Sequence, residues 1–223
     1  ASAFADGLYE SLLCDSEGNS RYEVYTKKYK LKLEDGDELE TYTTNCGTLD
    51  MYGDLYDAIK ETASSMYKTE FFSYDWRLSN AVSAEKLDAF INEAGYDKVI
   101  LVAHSMGGLV ASGYMAIGEE QTNRVKNVFY LASPLAGTPA TIDVWYNQDF
   151  SFLPGSDAFW EMFDNLKFLL SVATLTSSPL QKLMSSYVSV YELLPNQHYL
   201  SLTDITYINT KVIVPVDNGS DEV

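Results

Sequence analysis

The chain has 223 residues, with 15 Lys+Arg against 32 Asp+Glu and a formal net charge of −17. Such an excess of acid excludes a nucleic-acid partner, which needs a positive footprint to release counterions, and leaves membrane contact only to apolar surfaces. At 46% hydrophobic and 13% aromatic residues the chain can bury a core, no stretch approaches the ~20 apolar residues of a membrane span, and no basic segment leading into an apolar run marks a signal peptide.

Between residues 21 and 45, Tyr29, Leu31 and Leu33 alternate with polar residues, Asp35-Gly36 supplies a turn, and Leu39 and Tyr42 follow. This pattern predicts a surface hairpin. Over residues 54–66 the apolar positions Leu55, Ala58, Ile59, Ala63 and Met66 recur at the helical period,. Glu70–Tyr74 reads as a short strand. Ser83 is expected to cap a helix with Ala84, Leu87, Phe90, Ile91 and Ala94 facing inward and Gly95 as terminator,. Val99-Ile100-Leu101-Val102 is a continuous apolar run, expected to be a strand buried on both faces and central in a parallel sheet. A helix from Met106 to Ile117 and a second buried strand over residues 125–131, with Val128, Phe129, Tyr130 and Leu131 at its core, complete the series. Alternating helices and strands predict the α/β class, arranged as a three-layer sandwich around a mainly parallel sheet.

Residues 141–195 break this alternation. They are rich in aromatics, including Trp145, Phe150, Phe159, Trp160 and Phe163, and are punctuated by Pro154, Pro179 and Pro195. Such a segment reads as a helical subdomain with its own small core, compatible with a cap over an apolar binding cleft. The expected organisation is an N-terminal lid or hairpin region over residues 1–50, a core over 51–140, a helical cap over 141–200 and a return strand over 201–223.

Cys14 and Cys46 are the 2 cysteines. Two readings stand: separate thiols, or a disulfide in an oxidising compartment. The second, with the acidic surface and 17 tyrosines, fits an extracellular or cell-envelope protein. The acidic clusters Asp35–Glu40 and Asp217–Glu222 lack calcium-loop spacing, and neither metal nor cofactor is expected.

One motif carries chemistry. The apolar strand runs through Ala103-His104 into Ser105-Met106-Gly107-Gly108 and a helix. A nucleophile elbow needs small residues two before and two after its serine, because the tight turn brings those backbones together. Ala103 and Gly107 meet that need. The turn would lift the Ser105 hydroxyl above the sheet, with the Met106 backbone N–H at the helix start available to stabilise an oxyanion.

With these residues in place the sequence resembles the lecithin:cholesterol acyltransferase-like branch of the α/β-hydrolases, lipases and acyltransferases of glycerolipids. Four segments carry the resemblance: Tyr74-Asp75-Trp76-Arg77-Leu78, Ala103–Gly108, Ala132-Ser-Pro-Leu-Ala-Gly-Thr-Pro139 and Tyr191-Glu-Leu-Leu-Pro195. It implies an α/β-hydrolase fold with a cap insertion, Ser105 as nucleophile through an acyl-enzyme, and an acyl-lipid or other apolar ester as substrate. Asp75 and Arg77 are expected to pair and fix their loop. Trp76 faces either cleft or core.

The rest of a triad is harder to place. In this fold the chain order is nucleophile, acid, histidine. His104 adjoins Ser105 and points away from its hydroxyl, with packing beneath the turn as its expected role. His198 stands before the strand-like residues 211–216, against that order, and reads as a surface or cap residue. Asp221, just beyond Val212-Ile213-Val214, is the candidate acid, with Asp217 behind it. Nothing between Ala1 and Lys30 resembles the family's second oxyanion loop. The sequence is therefore expected to be a piece of a longer hydrolase, inactive or barely active alone. The competing reading is a non-catalytic α/β-hydrolase-like binding domain with an acidic surface.

Overall fold

The computed structural model describes residues 7, 9–22, 27–32, 38–43, 48–63, 66–147 and 179–202. Strands β1 (Lys27–Lys32) and β2 (Glu38–Thr43) form the expected antiparallel hairpin, in register from Lys27 opposite Thr43 to Lys32 opposite Glu38. Its turn lies outside the described residues. Helix α1 spans Thr48–Ala63, starting earlier than its apolar pattern. None of the apolar positions that mark its period is fully buried, Leu55 being 38% exposed and Met66, beyond the helix end, 75%. Aromatic side chains make the contacts instead, Tyr52 and Tyr56 both meeting Phe71.

Residues 67–75 carry no strand ladder, so the strand expected over Glu70–Tyr74 is an unpaired extended segment. Its aromatic residues favour extended backbone, but a ladder also needs a neighbour, and no described strand runs beside it. Helix α2 (Asn80–Ala94) is capped by Ser79 rather than Ser83. Ser79 holds ψ at 140° and its hydroxyl accepts from the Ala81 N–H, whereas Ser83 is buried on the inner face with Ala84, Leu87 and Ile91. Gly95, at φ 70° and ψ 29°, ends the helix in the left-handed conformation that glycine tolerates,.

Strand β3 (Val99–His104) pairs in parallel with β4 (Val125–Leu131), with a register shift at Val99/Ile100 that skips Lys126. The crossover between them is α3 (Gly107–Ile117) followed by α4 (Glu119–Arg124), as parallel pairing demands. Ala84, Leu87, Ile91, Val110 and Tyr114 make a core between α2 and α3, and Val99, Leu101 and Val125 of the strands pack against it. Gly113 is a close-contact point in this core, where a Cβ would come within 3.1 Å of Ala84 Cβ.

Both strands were expected to be buried on both faces. Val102 and Phe129, register partners, are instead 41% and 53% exposed. A continuous apolar run signals two apolar faces, but among the described residues α2 and α3 cover the one bearing Leu101 and Ala103, while the other is met at His104 by Tyr52 of α1. Among the described residues the architecture is α/β, with a two-stranded parallel sheet.

A second core joins distant parts of the chain. Tyr9, Leu13 and Cys14 pack with Val144, with Leu180, Leu183 and Met184 around α5 (Pro179–Met184), and with Tyr187 and Val190 at α6 (Val188–Glu192). Val144 belongs to a π-helical turn over Asp143–Asn147. Cys14 is a buried free thiol whose pKa burial raises; Cys46 lies outside the described residues, as do the aromatics between 148 and 178 and the apolar run 211–216.

Arg77 stitches this second core to the extended segment. Its Nε donates to Asp75 Oδ1 at 2.9 Å and one Nη2 bond reaches Asp75 Oδ2 at 2.7 Å, as expected of the pair. Beyond that, Nη1 donates to the carbonyls of Leu12 (2.8 Å) and Ser11 (3.4 Å), and Nη2 to Ser20 Oγ (2.7 Å). Both side chains of the ion pair are under a tenth exposed, at 6% and 9%. Arg77→Ala is expected to destabilise the protein by about 3–5 kcal/mol, because it strands a buried carboxylate and two carbonyls; equilibrium urea unfolding measures this, and a change below about 1 kcal/mol rules out the stitch.

Candidate active site

Strand β3 ends at His104, and the next residue leaves the sheet abruptly. Ser105 adopts φ 51°, a left-handed backbone that a residue with a Cβ rarely takes,. Its N–H donates to Leu131 O at the end of β4 (2.9 Å), and its carbonyl accepts from Gly108 N (3.0 Å) in the first turn of α3. The serine thus stands partly exposed between the carboxyl end of a parallel strand and a helix N-terminus. Among the described residues its hydroxyl has no hydrogen-bond partner, and the Met106 N–H donates to no described acceptor.

Small residues surround the turn as its geometry requires. A Cβ on Gly107 would sit 3.9 Å from both Ala103 Cβ and Tyr74 Oη, ordinary contact distances. Gly108 is more constrained. A Cβ there would collide with Ser133 Oγ and Cβ and come within 3.0 Å of Tyr130. Ser133 follows Ala132, the second non-glycine residue at positive φ (48°), and its hydroxyl donates to Ala103 O at 3.2 Å. A second bend, after β4, is therefore wedged against the first.

His104 does not pack beneath the turn. Side chains alternate along β3, so with Ala103 buried His104 falls on the opposite face, exposed, with Nδ1 2.9 Å from Tyr52 Oη and the rings 5.5 Å apart. Burial raises the pKa of Tyr52, and more strongly that of Tyr74, where the Tyr52 phenol adds to the effect. Both are therefore neutral hydroxyls at physiological pH.

The four motif segments converge. Glu192, in the last of them, accepts from Ser79 Oγ (2.6 Å), Asn80 N (2.7 Å) and Asn80 Nδ2 (2.7 Å), so its carboxylate sits at the start of α2 where the helix field favours it,. Thr138 N donates to Leu193 O (2.9 Å) and Asn196 N to Ala136 O (3.0 Å). Gly137, at φ 83°, lies against this backbone: a Cβ there would overlap Leu194 O and approach Pro195 Cα to 2.7 Å. Sequence patterning missed Glu192, Ser133 and Gly108 as individual contributors, although each lies inside a segment that carries the resemblance. Tyr52 had no signal at all.

His198 is exposed in helix α7 (Gln197–Leu202), its carbonyl accepting from Ser201 Oγ, and no hydrogen bond joins it to Ser105. Asp217 and Asp221 lie outside the described residues. Among the described residues, no group of three His, Cys, Asp or Glu side chains is arranged to hold a metal, and no helix is long and apolar enough to cross a membrane. Gly137→Ala is expected to cost about 2–4 kcal/mol, the sum of a left-handed alanine and an overpacked contact; thermal unfolding checks it, and an unchanged melting temperature contradicts the docking of these two segments.

Known proteins are similar to this chain in sequence over part of its length. Phospholipase A(1) LCAT3 of Arabidopsis thaliana is 27% identical over 135 residues, covering 57% of this chain and 27% of its own length. Lecithin-cholesterol acyltransferase-like 4 of the same plant is 32% identical over 102 residues, 42% of this chain and 18% of that protein. An uncharacterised protein of Saccharomyces cerevisiae is 32% identical over 114 residues, 45% of this chain and 16% of its own. The chain thus spans well under a third of the length of these relatives, from 16% to 27%. No solved structure matches. The resemblance to the lecithin:cholesterol acyltransferase-like lipases is borne out by these relatives. A family model described as the PGAP1-like alpha/beta domain matches residues 45–220, a span that includes all four motif segments, and the chain belongs to that family.

Proposed function

We propose that this domain is the catalytic unit of a lipid acyl hydrolase or acyltransferase, with Ser105 as its nucleophile. The observation that carries the proposal is the backbone of Ser105, held at φ 51° between a parallel strand and an 11-residue helix with its hydroxyl unpartnered among the described residues. Strain of this kind costs about 1–3 kcal/mol and persists where neighbours over-determine it, commonly at reacting residues. The names of the two plant relatives, a phospholipase A(1) and a lecithin-cholesterol acyltransferase-like protein, support acyl lipids as the substrate class. The full fold that accompanies this function is the three-layer hydrolase sandwich with a helical cap.

In the proposed reaction Ser105 Oγ bonds to the ester carbonyl carbon as its proton passes to a base. The carbonyl oxygen becomes an oxyanion facing the Met106 N–H, whose donor is free to meet it at the start of α3. Collapse breaks the ester C–O bond, and the departing alcohol takes up the proton. Water or an acceptor alcohol then attacks the acyl-enzyme, returning the proton to Oγ; which of the two enters decides hydrolysis or transfer. Asp221 is the proposed acid. No described imidazole bonds to Ser105, so turnover by this chain alone is expected to be weak.

A stoichiometric probe reads the serine without needing full turnover. An alkyl fluorophosphonate in excess is expected to label the chain slowly at Ser105, located by peptide mass spectrometry, and Ser105→Ala to abolish labelling; labelling at another residue instead, or an alanine variant labelled equally, refutes the assignment. Gly108→Ala pushes against Ser133 and tilts the elbow, so the labelling rate is expected to fall roughly tenfold to a hundredfold. A rate within twofold of the unmodified chain would show that the wedge does not hold the nucleophile.

A further inference from the structure

Ser105 is held from the α3 side by Gly108 and from the next strand by Leu131 O. The face of β3 turned away from α3 is open, with Val102 and its register partner Phe129 exposed. Strain at Ser105 persists only if the flanking backbone cannot relax, and an uncovered strand end is where relaxation would start. At that end stands Tyr52 of α1. Its hydroxyl lies 2.9 Å from His104 Nδ1, and the two rings meet edge-on, with centroids 5.5 Å apart and planes at 62°.

Tyr52 is itself anchored. Its ring lies 6.2 Å from Phe71, Tyr56 one turn later meets the same ring at 6.4 Å, and Tyr56 Oη donates to Thr69 O at 3.5 Å. Helix α1 is thereby fastened to the extended segment whose Tyr74 hydroxyl lies 3.9 Å from a Cβ built on Gly107. The two tyrosines thus bracket the nucleophile, Tyr52 at the residue before it and Tyr74 at the second residue after it.

The direction of the bond to His104 follows from what each partner can offer. Burial raises the pKa of Tyr52, so its phenol keeps its proton and carries one O–H donor,. Among the described residues that proton has one acceptor, His104 Nδ1. A ring nitrogen that accepts is unprotonated, which leaves the proton of a neutral imidazole on Nε2.

We propose that Tyr52 is a positioning residue for the nucleophile: its hydroxyl donates to His104 Nδ1, fixes that ring as the Nε2–H tautomer and pins the end of β3 from which Ser105 turns. Its action runs through His104. This inference rests on Ser105 being the nucleophile, and the two fail in different ways.

The bond is read first without any chemistry at the serine. The chain has 2 histidines, so His198→Gln leaves a single imidazole for nitrogen NMR. In the neutral ring the proton is expected on Nε2, with Nδ1 resonating as a hydrogen-bonded acceptor, and Tyr52→Phe is expected to move Nδ1 toward the position of a free acceptor. A ring protonated on Nδ1, or an Nδ1 resonance unmoved by Tyr52→Phe, overturns the inference.

The consequence for Ser105 is read from the rate of fluorophosphonate labelling. Tyr52→Phe keeps the ring contacts and is expected to slow labelling about threefold to tenfold, the loss of one neutral hydrogen bond. His104→Asn, whose Oδ1 can stand near the place of Nδ1, is expected to stay within about twofold of the unmodified chain. In a His104→Ala chain, Tyr52→Phe is expected to change the rate by less than about twofold, because the bond is already gone. An equal fall in that background marks a packing effect and overturns the inference, as does an unchanged rate in Tyr52→Phe alone. Labelling at another residue overturns the nucleophile, and this inference with it, even where the imidazole resonances are as expected.

Discussion

A serine with a Cβ does not hold φ 51° unaided, and the surroundings of Ser105 are arranged so that it has no alternative,. Its N–H is claimed by Leu131 O, which ties it to the end of the neighbouring strand, and its carbonyl is claimed by Gly108, which commits it to the helix. Two bonds in opposite senses leave the residue a single backbone solution. Everything that makes the hydroxyl reachable follows from this: the strand must run parallel to β4 so that both ends arrive together, and α3 must begin without delay. Ala132 repeats the device one strand over, and the two bends brace each other through Ser133 and Gly108.

The bracing extends across the chain through polar contacts rather than bulk apolar packing. Glu192 caps α2 from more than a hundred residues away in sequence, with separations of 112 and 113 for its bonds to Asn80 and Ser79. Gly137 and Thr138 dock on the backbone of residues 193–195. These bonds set how the two apolar cores sit against one another. Long-range order of this kind is consistent with the motif segments forming one connected framework around the elbow.

How much of this was legible beforehand depended on the range of the interaction. Helix α2, strands β3 and β4 and the elbow were readable because local periodicity and the small residues Ala103 and Gly107 state them directly. The Asp75–Arg77 pair was readable because the partners are two residues apart. What escaped needed distant partners: the cap of α2 is decided by whether Ser79 or Ser83 is extended, and the strand expected near Tyr74 depends on a neighbour that periodicity cannot supply. His104 was misplaced for a simpler reason, since the alternation that buries Ala103 already sends the next side chain to the other face. The full burial expected of Val102 and Phe129 failed because an apolar run reports what a strand offers, not what arrives to cover it.

Arg77 follows directly on the extended segment that reaches the elbow, and a basic residue there invites the idea of a clamp for a lipid phosphate. Its internal bonds forbid that role. With every guanidinium hydrogen committed to Asp75, Ser11, Leu12 or Ser20, none is left to greet an incoming phosphodiester, and recruiting one would first dismantle the joint between the cores. The charge of Arg77 is thus spent inside the protein, as mortar between the cores rather than as a receptor for an anion arriving from outside.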